Sequence, residues 1–383
     1  MLSSWLGDRY TDPELFERER ERVFRGRWVC GGRADAVPEP GDFARLDVGG
    51  ESVLVVRGAD GRLRGLVNVC RHRGARLCRD ERGRFGRSIR CMYHGWTYGL
   101  DGTLTGAPQM RDLPGAVTRD RDLHTVAVTE WLGYVWLHLG VEPPPLAEQI
   151  EPQLAARFGP ANATDALAGY GIGELRQVTE IGYDVRANWK LIVENFSECY
   201  HCSTLHPELT RALPYFRSGY GTVSGRRGAD LADGMAGFSR SGRAVAPPLP
   251  GLAGGEEARQ FNAVNLWPNV VLVLLPDHVV WLRLEPLAVD RTRVVAQWLF
   301  HPTAAADPAV RAADAVELLD IANRQDFEAA ERCQLGARSV YYEAVYPPHE
   351  HVILAFHRWV EQAVQEPAPT RPTPTPPVPS PSR

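Results

Sequence analysis

The feature that most constrains this chain is a pair of short cysteine–histidine loops, Cys70-Arg71-His72 and Cys91-Met92-Tyr93-His94. Four metal-ligating side chains in two tight loops demand a fold that holds the loops side by side. Two centres suit the residue types. A zinc ion would take all four side chains in one tetrahedral site. A [2Fe–2S] cluster would take both cysteines on one iron and both histidines on the other. Zinc fingers pair Cys with Cys and His with His, whereas each loop here carries one of each. Mixed loops can reach across two irons, which favours the cluster. Gly74 and Gly95 follow the loop histidines where close backbone approach is needed.

The flanking sequence reads as a small all-β domain. Short strands are predicted at 53–56, 63–69, 88–91, 96–100, 126–128 and 134–139, with Asp60-Gly61 and Asp101-Gly102 as two-residue hairpin signals. Upstream, Asp12-Pro13 opens a charged helix to about Phe24, with Leu15, Phe16 and Phe24 inward and Glu17, Arg18 and Glu19 solvated. Downstream, Pro143-Pro144-Pro145 ends the domain. A second region carries strands near 177–186, 261–267, 270–275, 279–284 and 292–301. Short turns between them imply an antiparallel sheet. Helices are expected over 187–202 and 307–335. The stretch 217–260, rich in Gly, Pro and Arg, is either an active-site cover or disordered. The fold class is α+β, with expected parts 1–40 (a helical segment on the catalytic domain), 41–145 (cluster domain), 146–365 (catalytic domain) and 366–383 (an unfolded tail). Eight of the tail's last seventeen residues are proline.

A second constellation lies at Asn195-Phe196-Ser197-Glu198-Cys199-Tyr200-His201-Cys202, followed by His206-Pro207. Asn195, Glu198 and His201 are spaced to line one side of a helix. Pro207 biases His206 out of helical dihedrals, so His206 can turn toward the ion that His201 binds. Two imidazoles and one carboxylate form the facial triad of non-haem Fe(II) oxygenases, which leaves positions open for dioxygen and substrate. On the long helix Val316, Leu319, Asn323, Asp326, Ala330 and Cys333 form a stripe of threes and fours. Asp326 is therefore a carboxylate on a buried face, where a metal would offset the cost of burial. A bond to an arginine or a backbone amide would offset it too. Asp320, Glu328 and Glu331 fall off the stripe. Cys199 and Cys202, a Cys-x-x-Cys pair, are read as small buried residues. His124, His138, His278, His301, His349, His351 and His357 lack partner spacing and receive no chemistry.

Together these motifs resemble the catalytic α subunit of a Rieske non-haem iron oxygenase over roughly residues 16–364. The resemblance implies a [2Fe–2S] cluster on Cys70, His72, Cys91 and His94 and a mononuclear Fe(II) on His201, His206 and Asp326. It implies O2 as co-substrate and NAD(P)H electrons from a separate reductase, with or without a ferredoxin. It further implies a head-to-tail homotrimer in which Glu198 bridges His201 and His94 of the adjacent chain, with Asn195 close to the iron. Glu198 stands where most ring hydroxylases have Asp, which is similar to the branch that oxidises betaines and carnitine. Trp267, Trp281, Phe216, Phe238 and Tyr220 could box such a cation. The gap from His72 to Cys91 exceeds the usual span, so the turn near 83–86 should be enlarged.

A net charge of −4 supplies no field for nucleic acid or an anionic membrane, and no apolar run reaches the ~20 residues of a membrane span. The opening Met1-Leu2-Ser3-Ser4-Trp5-Leu6 does not read as a secretory signal, and seven cysteines, two of them claimed by the cluster, do not resemble a disulfide framework. The expected setting is cytoplasmic. Gly171-Ile172-Gly173 lacks the third glycine of a dinucleotide site, so the electron donor is external. The expected function is hydroxylation or oxidative dealkylation of a small molecule. The alternatives are an aromatic-ring hydroxylase and a non-enzymatic cluster or ligand-binding protein.

Overall fold

The computed structural model describes residues 6–110, 120–161, 165–220, 228–307 and 309–369. Most of the proline-rich tail lies outside them. The described residues fall into two compact units, one over residues 20–144 and one over residues 6–19 and 145–366.

The first unit is built on a seven-stranded antiparallel sheet. Its strands are β1 (Val29–Arg33), β2 (Asp42–Val48), β3 (Glu51–Arg57), β4 (Leu63–Val67), β5 (Arg82–Arg84), β9 (Thr125–Trp131) and β10 (Tyr134–His138), in the order β1-β10-β9-β4-β3-β2-β5. A three-stranded sheet of β6 (Ser88–Arg90), β7 (Thr97–Gly99) and β8 (Leu104–Gly106) accompanies it. The β3–β4 and β7–β8 hairpins turn at the expected glycines, and Gly61 and Gly102 have φ of 77° and 90°. The enlarged turn is itself structured: β5 pairs with β2, and Phe85 stacks on Phe43 at 4.2 Å. β1 joins this sheet, so the segment expected to belong wholly with the catalytic domain is divided at Arg20.

In the second unit the sheet order is β11-β16-β15-β14-β13-β12. These strands are β11 (Arg176–Val185), β12 (Ala229–Asp230), β13 (Gln260–Leu266), β14 (Val270–Leu274), β15 (His278–Ala288) and β16 (Arg291–Phe300). Strands β14 to β16 are apolar on both faces, and Leu272, Val280, Trp281, Trp298 and Leu299 are fully buried. The helices are α1 (Asp8–Thr11), α2 (Pro13–Glu19), α3 (Leu146–Phe158), α4 (Trp189–Asn195), α5 (Cys202–Leu205), α6 (Pro207–Ala212), α7 (Pro302–Ala305), α8 (Ala312–Gly336) and α9 (His351–Gln365). None is long and apolar enough to cross a membrane.

Four expectations change. Glu19 is not solvated: it is fully buried, accepting from Lys190 Nζ at 2.5 Å and Trp189 Nε1 at 2.9 Å. The helix expected over 187–202 stops at Asn195. The helix expected from 307 begins at Ala312, and its stripe is buried at Leu319, Asn323, Asp326 and Ala330 but not at Val316 or Cys333. Beyond β12, residues 231–259 form no further strand or α-helix but are anchored by buried Leu231, Phe238, Leu249 and Leu252, which removes disorder for that part.

Candidate functional site

The two cluster loops are near copies of each other. In each, the glycine after the histidine donates its N–H back to the cysteine carbonyl, Gly74 to Cys70 and Gly95 to Cys91, both at 3.0 Å. The two glycines have φ of 74° and 72°, a region that strains other residues. The turns bury Cys70 and Cys91 and bring the His72 and His94 rings within 4.6 Å, with His94 exposed. Trp96 stacks on His72 at 5.0 Å, and the Tyr98 hydroxyl lies 3.3 Å from Cys70 Sγ. Burial, then His94 and Arg73, lower the His72 pKa and favour the neutral ring that a metal requires. Its buried Nδ1 has no hydrogen-bond partner among the described residues. Two buried thiols, two adjacent imidazoles and an orphaned ring nitrogen fit a cluster.

The second site is built where α4 ends. Asn188 caps α4 by accepting from Lys190 N, and the ladder breaks after Asn195 because the Glu198 carboxylate captures the N–H groups of Tyr200 and His201. Asn195, Glu198 and His201 therefore do not share one continuous helix. The break aims His201 inward. Its Nδ1 meets Glu198 Oε1, and its Nε2 lies 3.2 Å from Asp326 Oδ1. His206, between α5 and α6, donates from Nδ1 to Gln325 Oε1 at 2.7 Å and points Nε2 at the same Asp326 oxygen at 2.8 Å. Cis ligands on an octahedral ion with bonds near ~2.1 Å stand about 3 Å apart, so these spacings match a facial donor set.

Electrostatics agree with that match. Burial opposes a charged His201, but hydrogen bonds to Asp326 and Glu198 outweigh it and push the ring up to about 10. Burial likewise raises Asp326, yet the two imidazoles hold it below the usual carboxylate range. Two carboxylates thus make this point attractive to a cation, and a metal ion bound by His201 would displace the proton that they hold there. Cys202 lies within reach of both histidines, but the structure joins it to Cys199 in a disulfide. The pair read as small buried residues is thus a bridged Cys-x-x-Cys beside His201, and the oxygen that faces both imidazoles belongs to Asp326.

Comparison with known proteins then decides the family. A model of the ring hydroxylating alpha subunit (catalytic domain) matches residues 172–366, and a model of the Rieske [2Fe-2S] domain matches residues 27–119. The chain belongs to the ring-hydroxylating oxygenase α-subunit family. As a Rieske-type non-haem iron oxygenase it uses a [2Fe–2S] cluster and a mononuclear iron, which sets aside structural zinc and the non-enzymatic readings. The oxygenase is 28% identical over 367 residues to a glycine betaine monooxygenase oxygenase subunit of Pseudomonas aeruginosa, covering 87% of this chain and 82% of that one. It is 34% identical over 198 residues to a carnitine monooxygenase oxygenase subunit of Escherichia coli, covering 52% and 50%. Its fold matches a quaternary ammonium Rieske monooxygenase at TM-score 0.72 and 23% identity, over 94% of this chain and 95% of that one.

The oxygenase has a cavity of about 90 Å³ at this site, lined by Asn195, Glu198, His201, His206 and Asp326 with Phe216 and Phe261. Asn195 Oδ1 is buried there with no partner among the described residues, an acceptor held in reserve. Of the five aromatics considered for a cation box, only Phe216 lines the cavity. Trp281 is in the sheet core, Phe238 packs on Phe261, Trp267 on Phe356 and Trp359, and Tyr220 on His349. Sequence reasoning passed over Gln325 as an orienting group, although its place beside Asp326 on α8 was a usable signal. It also gave no role to His357, which bonds Glu194 Oε1 at 2.8 Å while Tyr10 bonds the same oxygen at 2.9 Å.

Proposed function

We propose that this chain is the terminal oxygenase of a system that oxidises a small quaternary ammonium compound, with His201, His206 and Asp326 as the iron ligands and Cys70, His72, Cys91 and His94 holding the cluster. The observation that carries it is the approach of both histidine Nε2 atoms, at 3.2 and 2.8 Å, to one Asp326 oxygen in a cavity walled by Phe216 and Phe261. When bound, the iron supplies dioxygen activation and the cluster supplies single electrons. Glu198 and Gln325 hold the Nδ1 protons, so each ring presents Nε2 inward. Phenyl faces attract a substrate cation, and the Asn195 amide takes a weak ligand or substrate contact. The names of the relatives support the betaine–carnitine class, as does glutamate at position 198.

Electrons enter from a separate reductase, and three chains associate head to tail so that one chain's cluster serves the next chain's iron. Glu198 then bridges His201 and the neighbour's His94. Exposed His94 supports this reading, as does Tyr200, which stands 63% exposed beside Glu198. The test is reconstitution with Fe(II), NADH and a surrogate reductase. Oxidation of a carbon on nitrogen should release formaldehyde from a methyl group of glycine betaine, or trimethylamine and an aldehyde from the chain carbon of carnitine, and His201→Ala or Asp326→Ala should stop it while cluster absorbance persists. Product from aromatic acids alone, or turnover that survives Asp326→Ala, would refute the proposal.

A further inference from the structure

Charge is distributed unevenly along the chain. Between the two cluster loops, residues 71–90 hold eight arginines against Asp80 and Glu81, in a chain whose net charge is −4. The choice of arginine means little, since Lys190 is the only lysine, but the clustering does. A surface charged only for solubility intersperses the two signs.

The fold neutralises part of this segment and leaves the rest. Arg84 is bidentate to Asp42 at 2.6 and 3.2 Å and Arg76 approaches Asp47 at 3.9 Å, while Arg71 is half-buried and tied to the chain, donating to the uncharged Asp120 carbonyl at 3.2 Å. Arg79, Arg82 and Arg87 are exposed and make no ion pair among the described residues. They are not on a loose arm. Asn68, two residues before Cys70, accepts from Leu77 N and Cys78 N at 3.0 and 2.9 Å and fixes the chain next to Arg79. β5 is hydrogen-bonded to β2 across Arg82–Ala44. Arg87 precedes Cys91 by about 13 Å of extended chain through β6. Together with Arg73 and Arg90, which are exposed and without an ion pair among the described residues, five uncompensated guanidinium groups lie on the segment that ends in a cluster ligand.

We propose that this arginine-rich segment is the docking surface for an acidic electron-donor protein, with Arg79, Arg82 and Arg87 as its anchors. The proposal rests on the reading above only in that electrons reach the cluster from another protein. Complementary charge would speed encounter and orient the donor toward the cluster loops, and salt would screen it.

The test follows cluster reduction by stopped flow in the whole oxygenase, using as probe a plant-type [2Fe–2S] ferredoxin, an acidic carrier. The wild-type rate should fall on the order of tenfold between about 20 and about 300 mM NaCl. The Arg79→Glu/Arg82→Glu/Arg87→Glu variant should lose on the order of tenfold at low salt, with a flattened salt dependence. Reduced methyl viologen, a small cation, should reduce the variant no more slowly than the wild type. A salt-independent wild-type rate would overturn the proposal, and that measurement decides even if the variant does not fold. Equal slowing with both reductants, or an altered oligomeric state in the variant, would overturn it too. Rapid cluster reduction without product would instead count against the oxygenase reading and leave docking intact.

Discussion

His206 serves as a ligand only if its Nε2 lone pair faces the cavity, and that depends on what holds Nδ1. Here the Gln325 carbonyl accepts the Nδ1 proton at 2.7 Å from within the same turn of α8 as Asp326. One helix therefore supplies both a proposed ligand, Asp326, and the group that orients another, His206. Replacing Gln325 with Leu keeps the volume and removes the acceptor, freeing the imidazole to flip or change tautomer. Losing such an orienting partner lowers metal affinity by about 10–100-fold. Fe(II) affinity in Gln325→Leu, measured by chelator competition, should drop by that factor while cluster absorbance stays unchanged. Undiminished affinity would mean that packing alone sets the ring.

At the scale of elements, the loop joining β14 to β15 ties irregular chain to the sheet. Asp277 Oδ1 bonds His278 Nδ1 at 2.7 Å, and Oδ2 accepts from Val245 N and Ala246 N at 3.2 and 3.4 Å. Burial raises this carboxyl, but His278 and the two amides hold it below its ordinary value. A carboxylate depressed in the folded state stabilises the fold above its unfolded pKa near ~3.9, and the contribution fades as pH falls through the folded value. Asp277→Asn should cost about 1–3 kcal/mol at neutral pH. In urea titrations the gap between wild type and variant should hold down to about pH 5 and narrow below about pH 4. A gap independent of pH would remove the charge from the explanation. The same scale shows what could be read from sequence. β3, β4, β7 and the apolar strands β13 to β16 were legible because alternation, apolar runs and Asp-Gly turns mark them. β1 and β5 were not, since Val29-Cys30-Gly31-Gly32-Arg33 and Arg82-Gly83-Arg84 show no strand signal and pair only because β10 and β2 offer edges. The break after Asn195 was hidden because it depends on Glu198 turning back on its own backbone. Glu19 looked solvated because its partner Lys190 lies 171 residues away.

For the molecule as a whole, the question is whether an electron stays in its own chain. The proposed head-to-tail ring is a heterologous assembly, so each iron has one neighbouring cluster as donor. Two damaged chains distinguish the routes. Cys91→Ala removes a cluster ligand and leaves the triad residues in place, while Asp326→Ala does the reverse. Each alone should be inactive. Co-expressed in equal amounts with random assembly, a site works when a chain with an intact triad follows a chain with an intact cluster. With each condition met half the time, about a quarter of the wild-type activity per site should return. Transfer within a chain returns none, because no chain carries both centres. The measurement is NADH-dependent product from the co-purified mixture, beside the two variants purified separately and then combined without exchange. Recovery only in the co-expressed sample would locate electron transfer between chains. No recovery in a sample shown to contain mixed oligomers would refute the proposed Glu198 bridge, because that carboxylate would then have no partner histidine from a neighbour to hold.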